Sequence, residues 1–600
     1  MLRSLIRRMV RGARTKHNAR AGRAATVDLE QARALQHSGD LARARVLCEG
    51  ILSRDASHAG AHALLGALFG QEGDLVHAHH HLMAALRVKP DLEEARLGLG
   101  NVYLLRGDAR AAAAEYRQAL AVNADSAIVH LSLGRALRAQ GDNTAALEHF
   151  HHALALSPML SGAVVEAVQC HVRLGTCQQA LALAAAAVQR CPGAAELHVA
   201  LGFAYQNTHR AADALECYKT ALALDGADAD VYTNLGIVYQ HLGCMEESLV
   251  SFGQALALAR DSPLAHFHRG LARLLMGDYA NGWADYEMRL LSEDRLPRPV
   301  AAPRWDGSAL EGRTLLVFGE QGLGDEIMFA SCLPDVLAAA GQCVIECHPK
   351  LEGIFRRSFP RAAVYAAAPP CADSDAARIG HIDFEVPIGS LPLYLRRSPA
   401  EFPRHAGYLE AEAGRVAAWR KRLAALGPGV KAGISWAGGT YRSRSPLRSI
   451  ALEQWRPILE TPGVRFVSLQ YGDVTPALKA LAVQGYPRIE HWQDAIDDYE
   501  ETAALVSALD VVISVQTAVV HLTGALGKTA WVIVPCAPEW RYGIAGPGMP
   551  WYPSVRVFRQ TSAGEWGPVL DAVAGELRAL ADAPAQPIDP DATRRNQGSR

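Results

Sequence analysis

The sequence predicts a multidomain fold in which an all-α superhelix of repeated helix pairs precedes an α/β region. Two observations carry this prediction. Six glycines recur at a spacing of 34 residues or a multiple of it, and from Thr314 onwards short apolar runs alternate with helical stretches. A 34-residue period is typical of the tetratricopeptide repeat, a pair of helices. Strand–helix alternation is typical of parallel sheets covered by helices on both faces.

The repeats are recognised by small residues that keep the same phase. The first glycine series is Gly66, Gly100, Gly134, Gly202, Gly236 and Gly270. A second series marks the turn inside the repeat: Gly73, Gly107, Gly141, Gly175, Gly243 and Gly277, with His209 in place of glycine in one repeat. Eight repeats are predicted over 25–58, 59–92, 93–126, 127–160, 161–194, 195–228, 229–262 and 263–290. Stacked helix pairs form a concave groove, so we expect a protein or peptide partner there.

Composition and the two ends of the chain limit the classes of partner. The formal net charge is −2, so no overall field attracts nucleic acid. Residues 1–24 contain eight Lys/Arg and no acid and are predicted to be a basic, disordered tail; a weak amphipathic helix on an anionic membrane surface is the alternative. Residues 584–600 are polar and are also predicted to be disordered. Scattered cysteines and no long apolar run favour a reducing, cytoplasmic location.

The α/β region is predicted to contain two Rossmann-like halves that face a cleft. A proline-containing connector, 291–313, precedes them, and a glycine-rich break near residue 426 separates a first half, 314–425, from a second half, 426–583. A helix is expected over 326–340. The strand candidates are 314–318, 342–347, 384–388, 431–436, 465–470, 511–515 and 530–534.

Three loops that follow strand candidates are the candidate ligand-binding segments, because ligands lie beyond the carboxyl ends of parallel strands. In the loop 319–325, Asp325 is either the N-cap of the next helix or a general base. Its G-x-x-G-x-G order is not the dinucleotide-binding fingerprint. The loop 436–449 contains three arginines, which suit phosphate oxygens. In the segment 514–521 a strand turns directly into a helix, whose N-terminus suits a diphosphate; His521 is either packed there or in contact with the ligand.

No metal site is predicted. His77 and His81 are four residues apart, as metal ligands on a helix can be, but no third ligand with suitable spacing follows. We interpret both as solvated or groove-lining residues. The stretch 373–375 reads Asp-Ser-Asp, the pattern that holds a metal in one class of glycosyltransferases, but no strand leads into it. We interpret it as coincidence.

The loops together resemble glycosyltransferase family 9, in particular its bacterial tetratricopeptide-repeat members and the ADP-heptose:lipopolysaccharide heptosyltransferases. The resemblance is carried by FGEQGLGD (318–325), RSIAL (448–452), QTAVVHLTGALGK (516–528) and PEWR (538–541), with PRWDG (303–307) and GDYANGWADY (277–286) in support. It implies a GT-B fold, a metal-independent inverting mechanism, no cofactor, and a nucleotide-sugar donor bound by the second half.

The resemblance also implies roles for individual residues. Asp325 matches the proposed base, in an acceptor-side loop that includes Gln321, Gly322 and Gly324. The donor-binding residues implied are Arg442, Arg448, Ser449, Gln470, Gln516, Thr517, Ala518, Val519 and His521. The family usually has aspartate where this chain has Gln516, which keeps hydrogen-bonding capacity but loses the negative charge. Two functions follow: a glycosyltransferase whose repeats recruit the acceptor, or a protein-interaction scaffold with a degenerate GT-B domain.

Overall fold

The computed structural model describes residues 25–291, 302–367, 381–439 and 444–583. The chain divides into two compact units between Gly226 and Ala227; we call them the N-terminal and C-terminal units. The predicted tails 1–24 and 584–600, Arg442, the stretch 373–375 and residues 292–301 of the predicted connector lie outside the described residues.

The described part of the N-terminal unit is all α and consists of antiparallel helix pairs that follow the 34-residue period. The helices are α1 (25–37), α2 (Leu41–Arg54), α3 (Ala59–Gln71), α4 (Leu75–Val88), α5 (Glu93–Leu105), α6 (Ala109–Val122), α7 (Ala127–Ala139), α8 (Asn143–Leu156), α9 (Ser161–Arg173), α10 (Cys177–Arg190), α11 (Ala195–Asn207) and α12 (Ala211–Asp225). Each pair lies in one predicted repeat, so the prediction of a tetratricopeptide array is confirmed.

Aspartates spaced by 34 residues start the second helix of several repeats. The carboxylates of Asp40, Asp74, Asp108 and Asp142 each accept a hydrogen bond from the backbone N–H three residues later, at 2.9–3.2 Å. An N-cap bond of this kind satisfies a backbone donor that has no partner within the helix. The turn glycine directly before each aspartate has φ between +81° and +87°, a conformation that glycine adopts without strain.

The first glycine series allows the two helices of a repeat to pack closely against an aromatic ring. A Cβ atom on Gly134 would lie 2.5 Å from the Phe150 ring, and one on Gly202 would lie 2.8 Å from the Tyr218 ring. In the repeat 161–194 the sizes are exchanged: Val168 replaces the glycine and Ala184 replaces the ring, and both are buried in one cluster. The volume between the helices is thus filled in either arrangement.

His209 has a positive φ, +61°, at the turn where the other repeats have glycine. Because a left-handed conformation strains a residue with a Cβ atom, we expect His209→Gly to raise the free energy of unfolding by about 0.5–1 kcal/mol. Urea unfolding followed by far-UV circular dichroism measures this change. The reverse substitution, Gly175→Ala, is the matched control and is expected to lower stability; a gain there would contradict the argument.

Two pairs of histidines lie in contact within the N-terminal unit. Nδ1 of His62 lies 2.9 Å from Nδ1 of His81, and His130 and His149 repeat this contact at 3.0 Å. One ring of each pair must be neutral in order to accept the hydrogen bond. Burial, together with the neighbouring histidines, lowers the pKa of His81 from 6.5 to about 4.

We therefore expect the N-terminal unit to lose stability as the pH falls from about 6.5 to about 4. Over this interval the folded state binds fewer protons than the unfolded state, so the stabilisation from neutral His81 is complete above the interval and disappears within it. The urea midpoint by circular dichroism should fall, and should fall less in His81→Gln. Tryptophan fluorescence reports the C-terminal unit alone, because all ten tryptophans lie at or after Trp283. An identical pH profile for variant and wild type would contradict this expectation.

The C-terminal unit begins with two further helix pairs of the array: α13 (Ala229–Leu242), α14 (Met245–Leu258), α15 (Pro263–Met276) and α16 (Tyr279–Tyr286). The strands that follow are β1 (Thr314–Phe318), β2 (Gln342–Cys347), β3 (Ala363–Ala366), β4 (Phe384–Pro387), β5 (Val430–Ser435), β6 (Val464–Ser468), β7 (Ile489–His491), β8 (Val511–Val515), β9 (Ala530–Val534), β10 (Gly548–Met549) and β11 (Tyr552–Arg559).

These strands form two sheets. The first has the order β3-β2-β1-β4 and is parallel throughout. The second has the order β10-β11-β9-β8-β5-β6-β7 and is parallel except for the pairing of β10 with β11. The helices between strands are Leu323–Phe329, Leu333–Ala339, Glu352–Ser358, Leu391–Leu395, Ala413–Ala424, Ser445–Arg448, Arg456–Leu459, Thr475–Val483, Gln493–Asp497, Tyr499–Ala508 and Ala518–Ala525, and Gly567–Asp582 follows the last strand.

The structure confirms a strand at each predicted position and adds β3, β7, β10 and β11. The helix predicted over 326–340 instead starts at Leu323 and is interrupted by a 3₁₀ turn at Ala330–Cys332. Pro334 explains the interruption, because it has no N–H to donate to the preceding turn. None of the helices in the described part of the chain has the length and apolarity needed to cross a membrane.

Candidate functional site

The carboxyl ends of strands from both sheets face one cavity of about 690 Å³ in the C-terminal unit. Small-molecule sites usually measure about 300–1,000 Å³. The loops and helix starts that follow strands of the first sheet contribute Gly322, Leu323, Gly324, Asp325 and Lys350. The loops and helices that follow strands of the second sheet contribute Gly439, Arg448, Leu469, Tyr471, Gln516, Thr517, Ala518, Val519 and His521. The remaining wall is formed by Ile496, Tyr499, Thr502, Glu539, Arg541 and Tyr542.

The glycine-rich loop after β1 lies directly against the helix Ala518–Ala525 of the second sheet. A Cβ atom on Gly324 would lie 3.3 Å from Cα of Ala518 and 3.3 Å from Cδ2 of His521. These distances are tighter than ordinary contacts, so a side chain at position 324 would push the two elements apart. The absence of a side chain therefore brings Asp325 close to the start of the facing helix.

Asp325 is not an N-cap. Gly322 occupies that position, and Asp325 lies in the first turn of the helix. Its Oδ1 atom accepts a hydrogen bond from Nη2 of Arg541, and the two side chains, 20% and 17% exposed, form an ion pair. The Arg541 guanidinium also lies over the Trp540 ring, 4.9 Å from its centre.

The environment of Arg541 keeps it firmly protonated. Burial alone would lower its pKa, but Asp325, Tyr286 and Glu539 raise the pKa of Arg541 above its ordinary value. Its Nε atom is buried and has no hydrogen-bond partner among the described residues. Arg541 therefore retains a donor beyond its bond to Asp325.

Glu539 is shared by three arginines. Its carboxylate oxygens lie 3.6 Å from Nη1 of Arg448, 3.8 Å from Nη2 of Arg444 and 3.9 Å from Nη1 of Arg541. Arg448 and Arg541 line the cavity, and Lys350 adds a third cation to its wall. The cavity therefore presents several cations around two carboxylates, an arrangement that suits an anionic ligand.

The segment after β8 supplies polar groups to the cavity. The hydroxyl group of Thr517 lies 2.9 Å from that of Ser514. Gln516 is 4% exposed, and its Nε2 atom has no hydrogen-bond partner among the described residues. The hydroxyl group of Tyr499 is likewise buried without a partner there. Because an unpaired buried polar group is costly, these atoms are candidate ligand contacts.

His521 is both packed and part of the cavity wall, so the two interpretations of this residue are compatible. Its Nδ1 atom lies 3.3 Å from the Tyr552 hydroxyl group. Burial, aided by the charge of Arg541, lowers the pKa of His521 to about 3. His521 is therefore a neutral polar group at neutral pH.

Gln470 and Ser449 lie behind the cavity and do not line it in the described structure. Oε1 of Gln470 accepts hydrogen bonds from the N–H groups of Trp436 and Ala437 at 3.0 and 2.9 Å, and its Nε2 atom donates to the carbonyl of Ala437 at 2.9 Å. Ser449 Oγ accepts from the N–H of Gly438 at 3.2 Å. Both side chains hold the loop after β5 in place.

Gln321 joins the glycine-rich loop to the last repeat. Its Oε1 and Nε2 atoms lie 3.0 and 2.7 Å from the hydroxyl group of Tyr286. The neighbouring Glu320 accepts a hydrogen bond from Arg289 at 2.8 Å. The last repeat thus fixes the start of the loop that contains Asp325, and Gln321 is outside the cavity wall.

Lys350 reaches the cavity through a hydrogen-bonded turn that sequence reasoning missed. Oε2 of the buried Glu326 accepts from the N–H of His348 at 2.8 Å, and Nδ1 of His348 accepts from the N–H of Lys350 at 3.1 Å. Burial raises the pKa of Glu326 to about 7. The only sequence signal for Lys350 was its position after β2.

His77 and His81 make separate contacts in the described structure. His77 bonds Asp74 at 2.6 Å, whereas His81 contacts His62. Within the described ranges, no group of three or more His, Cys, Asp or Glu side chains is arranged to hold a metal ion.

Two family models match the repeat array. One described as "Tetratricopeptide repeat" matches residues 97–160 and 131–195, and one described as "TPR repeat" matches residues 210–243. Together with the helix pairs, these matches define the chain as a tetratricopeptide-repeat protein, a class of protein-interaction scaffold, with a C-terminal α/β region.

The chain belongs to the family of Protein FlbA from Caulobacter vibrioides, with 32% identity over 441 residues that cover 64% of this chain and 72% of FlbA. Solved structures are similar to parts of this chain. The APC/C hetero-tetramer Cut9-Hcn1 has 18% identity and a TM-score of 0.36 over 40% of this chain, and the match spans about half, 48%, of that chain. TTC0263, a thermophilic TPR protein in Thermus thermophilus, has 25% identity and a TM-score of 0.28, over 30% of this chain and 100% of its own.

Proposed function

We propose that the C-terminal unit is a GT-B glycosyltransferase that transfers a sugar from a nucleotide-sugar donor to an acceptor hydroxyl group with inversion. One observation carries the proposal: Asp325 from the first sheet, and Arg448 with the helix start at Thr517 and Ala518 from the second sheet, line the same cavity. An acid, a cation and a helix N-terminus are what such a transfer needs.

Asp325 acts as the general base. It accepts the proton of the acceptor hydroxyl group as that oxygen forms a bond to the anomeric carbon of the donor. The bond between that carbon and the diphosphate oxygen breaks at the same time, and the nucleoside diphosphate leaves with the bonding pair. A positioned base of this kind contributes a factor of about 10²–10⁴.

Arg448 and the helix Ala518–Ala525 stabilise the departing diphosphate. Fixed cations and the positive end of a helix dipole act on negative charge as it develops, and they need no reorganisation. Lys350 supplies a further charge on the cavity wall. In this proposal the protein itself provides the electrostatic stabilisation, without a metal ion or cofactor.

The tetratricopeptide array recruits the acceptor, a protein or peptide. Repeat arrays present long concave surfaces to such partners. In this proposal the array binds the acceptor, and the sugar is transferred in the cavity of the C-terminal unit.

A thermal-shift screen against ADP-, GDP-, UDP- and dTDP-sugars tests donor binding. A ligand at 100 times its Kd adds about 2.7 kcal/mol of stability, and we expect one nucleotide class to do so. Arg448→Gln should reduce the shift, whereas Arg465→Gln, a strand residue outside the cavity wall, should not. If no nucleotide sugar shifts the wild type, the glycosyltransferase proposal is wrong.

A second candidate function is a tetratricopeptide scaffold whose α/β region binds a nucleotide sugar without transferring it. The observation that favours it is the ion pair between Asp325 and Arg541, which engages the proposed base. Binding without release of nucleoside diphosphate in the presence of acceptor would support this candidate.

A further inference from the structure

Arg541 is a charged residue of the cavity wall that the proposed mechanism does not use. Sequence reasoning assigned it no role, yet its guanidinium contacts the one acid proposed to take a proton. The guanidinium lies over the Trp540 ring, and the Nε atom of Arg541 has no hydrogen-bond partner among the described residues.

We propose that Arg541 binds the phosphate groups of the nucleotide-sugar donor, and that the diphosphate and Asp325 compete for its guanidinium. In the described conformation Arg541 holds Asp325 in an ion pair; a nucleoside diphosphate in the cavity draws the guanidinium to its phosphate oxygens and frees the carboxylate. This inference rests on the proposed function and adds an order of events to it.

The contact with Arg541 limits Asp325 as a base. Its Oδ1 atom is engaged by a charge-assisted hydrogen bond, and such bonds are about twice as strong as neutral ones. An acceptor hydroxyl group that approaches this oxygen must replace that bond before its proton can transfer to it. The Oδ1 atom is therefore available as the base only when another anion takes the guanidinium.

A diphosphate is the anion that fits. Arginine presents donors in a planar fork that matches phosphate oxygens, and Arg541 lines the cavity near Arg448. Placing a diphosphate beside Asp325 and Glu539 without moving a cation towards it would leave like charges facing each other. Transfer of Arg541 from carboxylate to phosphate relieves that repulsion.

The competition has a consequence for the order of events. The Oδ1 atom of Asp325 becomes available only when the nucleotide-sugar donor is bound, so deprotonation of the acceptor is coupled to donor binding. After the diphosphate leaves, Arg541 returns to Asp325 and the base is no longer available.

Calorimetric titration with ADP, GDP, UDP and dTDP tests the competition, because these nucleotides have phosphates but no sugar. For the diphosphate that binds, Asp325→Asn should bind it several-fold to about tenfold more tightly, because the competing ion pair is gone. Arg541→Gln should bind it about tenfold or more weakly, since a charge-assisted hydrogen bond is lost. In the Arg541→Gln background, Asp325→Asn should improve binding less than it does in the wild type, because no guanidinium is left for it to release.

Asp335→Asn is the matched control. It breaks another Asp–Arg pair, Asp335 with Arg396, outside the cavity wall, and should leave the affinity unchanged. Circular dichroism shows whether each variant is folded, and Arg541→Lys replaces Arg541→Gln if the latter is not.

The outcomes separate the two proposals. If a diphosphate binds but Asp325→Asn binds it no more tightly, or the two substitutions act additively, the competition is overturned and the proposed function stands. If no diphosphate binds to the wild type or to any variant, both are overturned.

Discussion

Asp325→Asn is expected to reduce the rate of sugar transfer by a factor of about 10²–10⁴, because the amide cannot accept the hydroxyl proton. The substitution keeps the size of the side chain, and the residue is part of the cavity wall and not of the buried core. The loss should fall on kcat, since donor binding does not need the carboxylate. Release of nucleoside diphosphate in the presence of acceptor measures it.

The kinetic control is Asp335→Asn, which should retain the wild-type rate. Donor hydrolysis without acceptor serves as a second readout when the acceptor is unidentified, because water then replaces the acceptor hydroxyl group. Full activity of folded Asp325→Asn would rule out this residue as the base.

Trp283→Ala is expected to destabilise the C-terminal unit by about 3–5 kcal/mol, as the loss of a fully buried tryptophan does. Trp283 is 1% exposed, and its ring lies 5.5 Å from that of Trp540 and 6.2 Å from that of Trp551, measured between centres. Its Nε1 atom also donates to the carbonyl of Arg396 at 2.7 Å. Alanine leaves both a cavity and an unpaired buried carbonyl.

Urea unfolding followed by the fluorescence of the remaining tryptophans measures this loss. Leu264→Ala is the control, because Leu264 belongs to the neighbouring helix α15 but is 51% exposed; it should change stability by less than about 0.5 kcal/mol. If Trp283→Ala were as mild as the control, the last repeat would not be part of the core of this unit.

Sequence predicted the repeats and the central strands well because each has a local cause. The turn glycines and N-cap aspartates mark helix ends, and β1, β8 and β9 are short apolar runs buried on both faces. The missed strands lack that signal. Strand β11 contains Pro553 and exposed Arg556, and β7 has only three half-buried residues. Their pairing depends on neighbours that local sequence does not reveal.

The candidate site was predictable only where a ligand-facing loop follows a buried strand. Asp325 and Thr517 met that condition. Arg541 and Tyr499 reach the same cavity from connections whose position depends on tertiary packing, so no spacing rule finds them. Gln470 shows the opposite error: it follows a strand, but its amide is used by the backbone of the adjacent loop. Position after a strand does not decide which way a side chain faces.

The bonds from Tyr286 to Gln321 and from Arg289 to Glu320 have a consequence for how such chains can change length. When a 34-residue repeat is inserted or removed upstream of residue 227, the neighbouring repeats exchange one stacking partner for a similar one. The last repeat has no interchangeable neighbour, because the Trp283 ring packs against Trp540 and Trp551 and the Tyr286 hydroxyl group bonds Gln321. Gain or loss of repeats during evolution should therefore be confined to the upstream part, with the last repeat inherited together with the α/β region as one block.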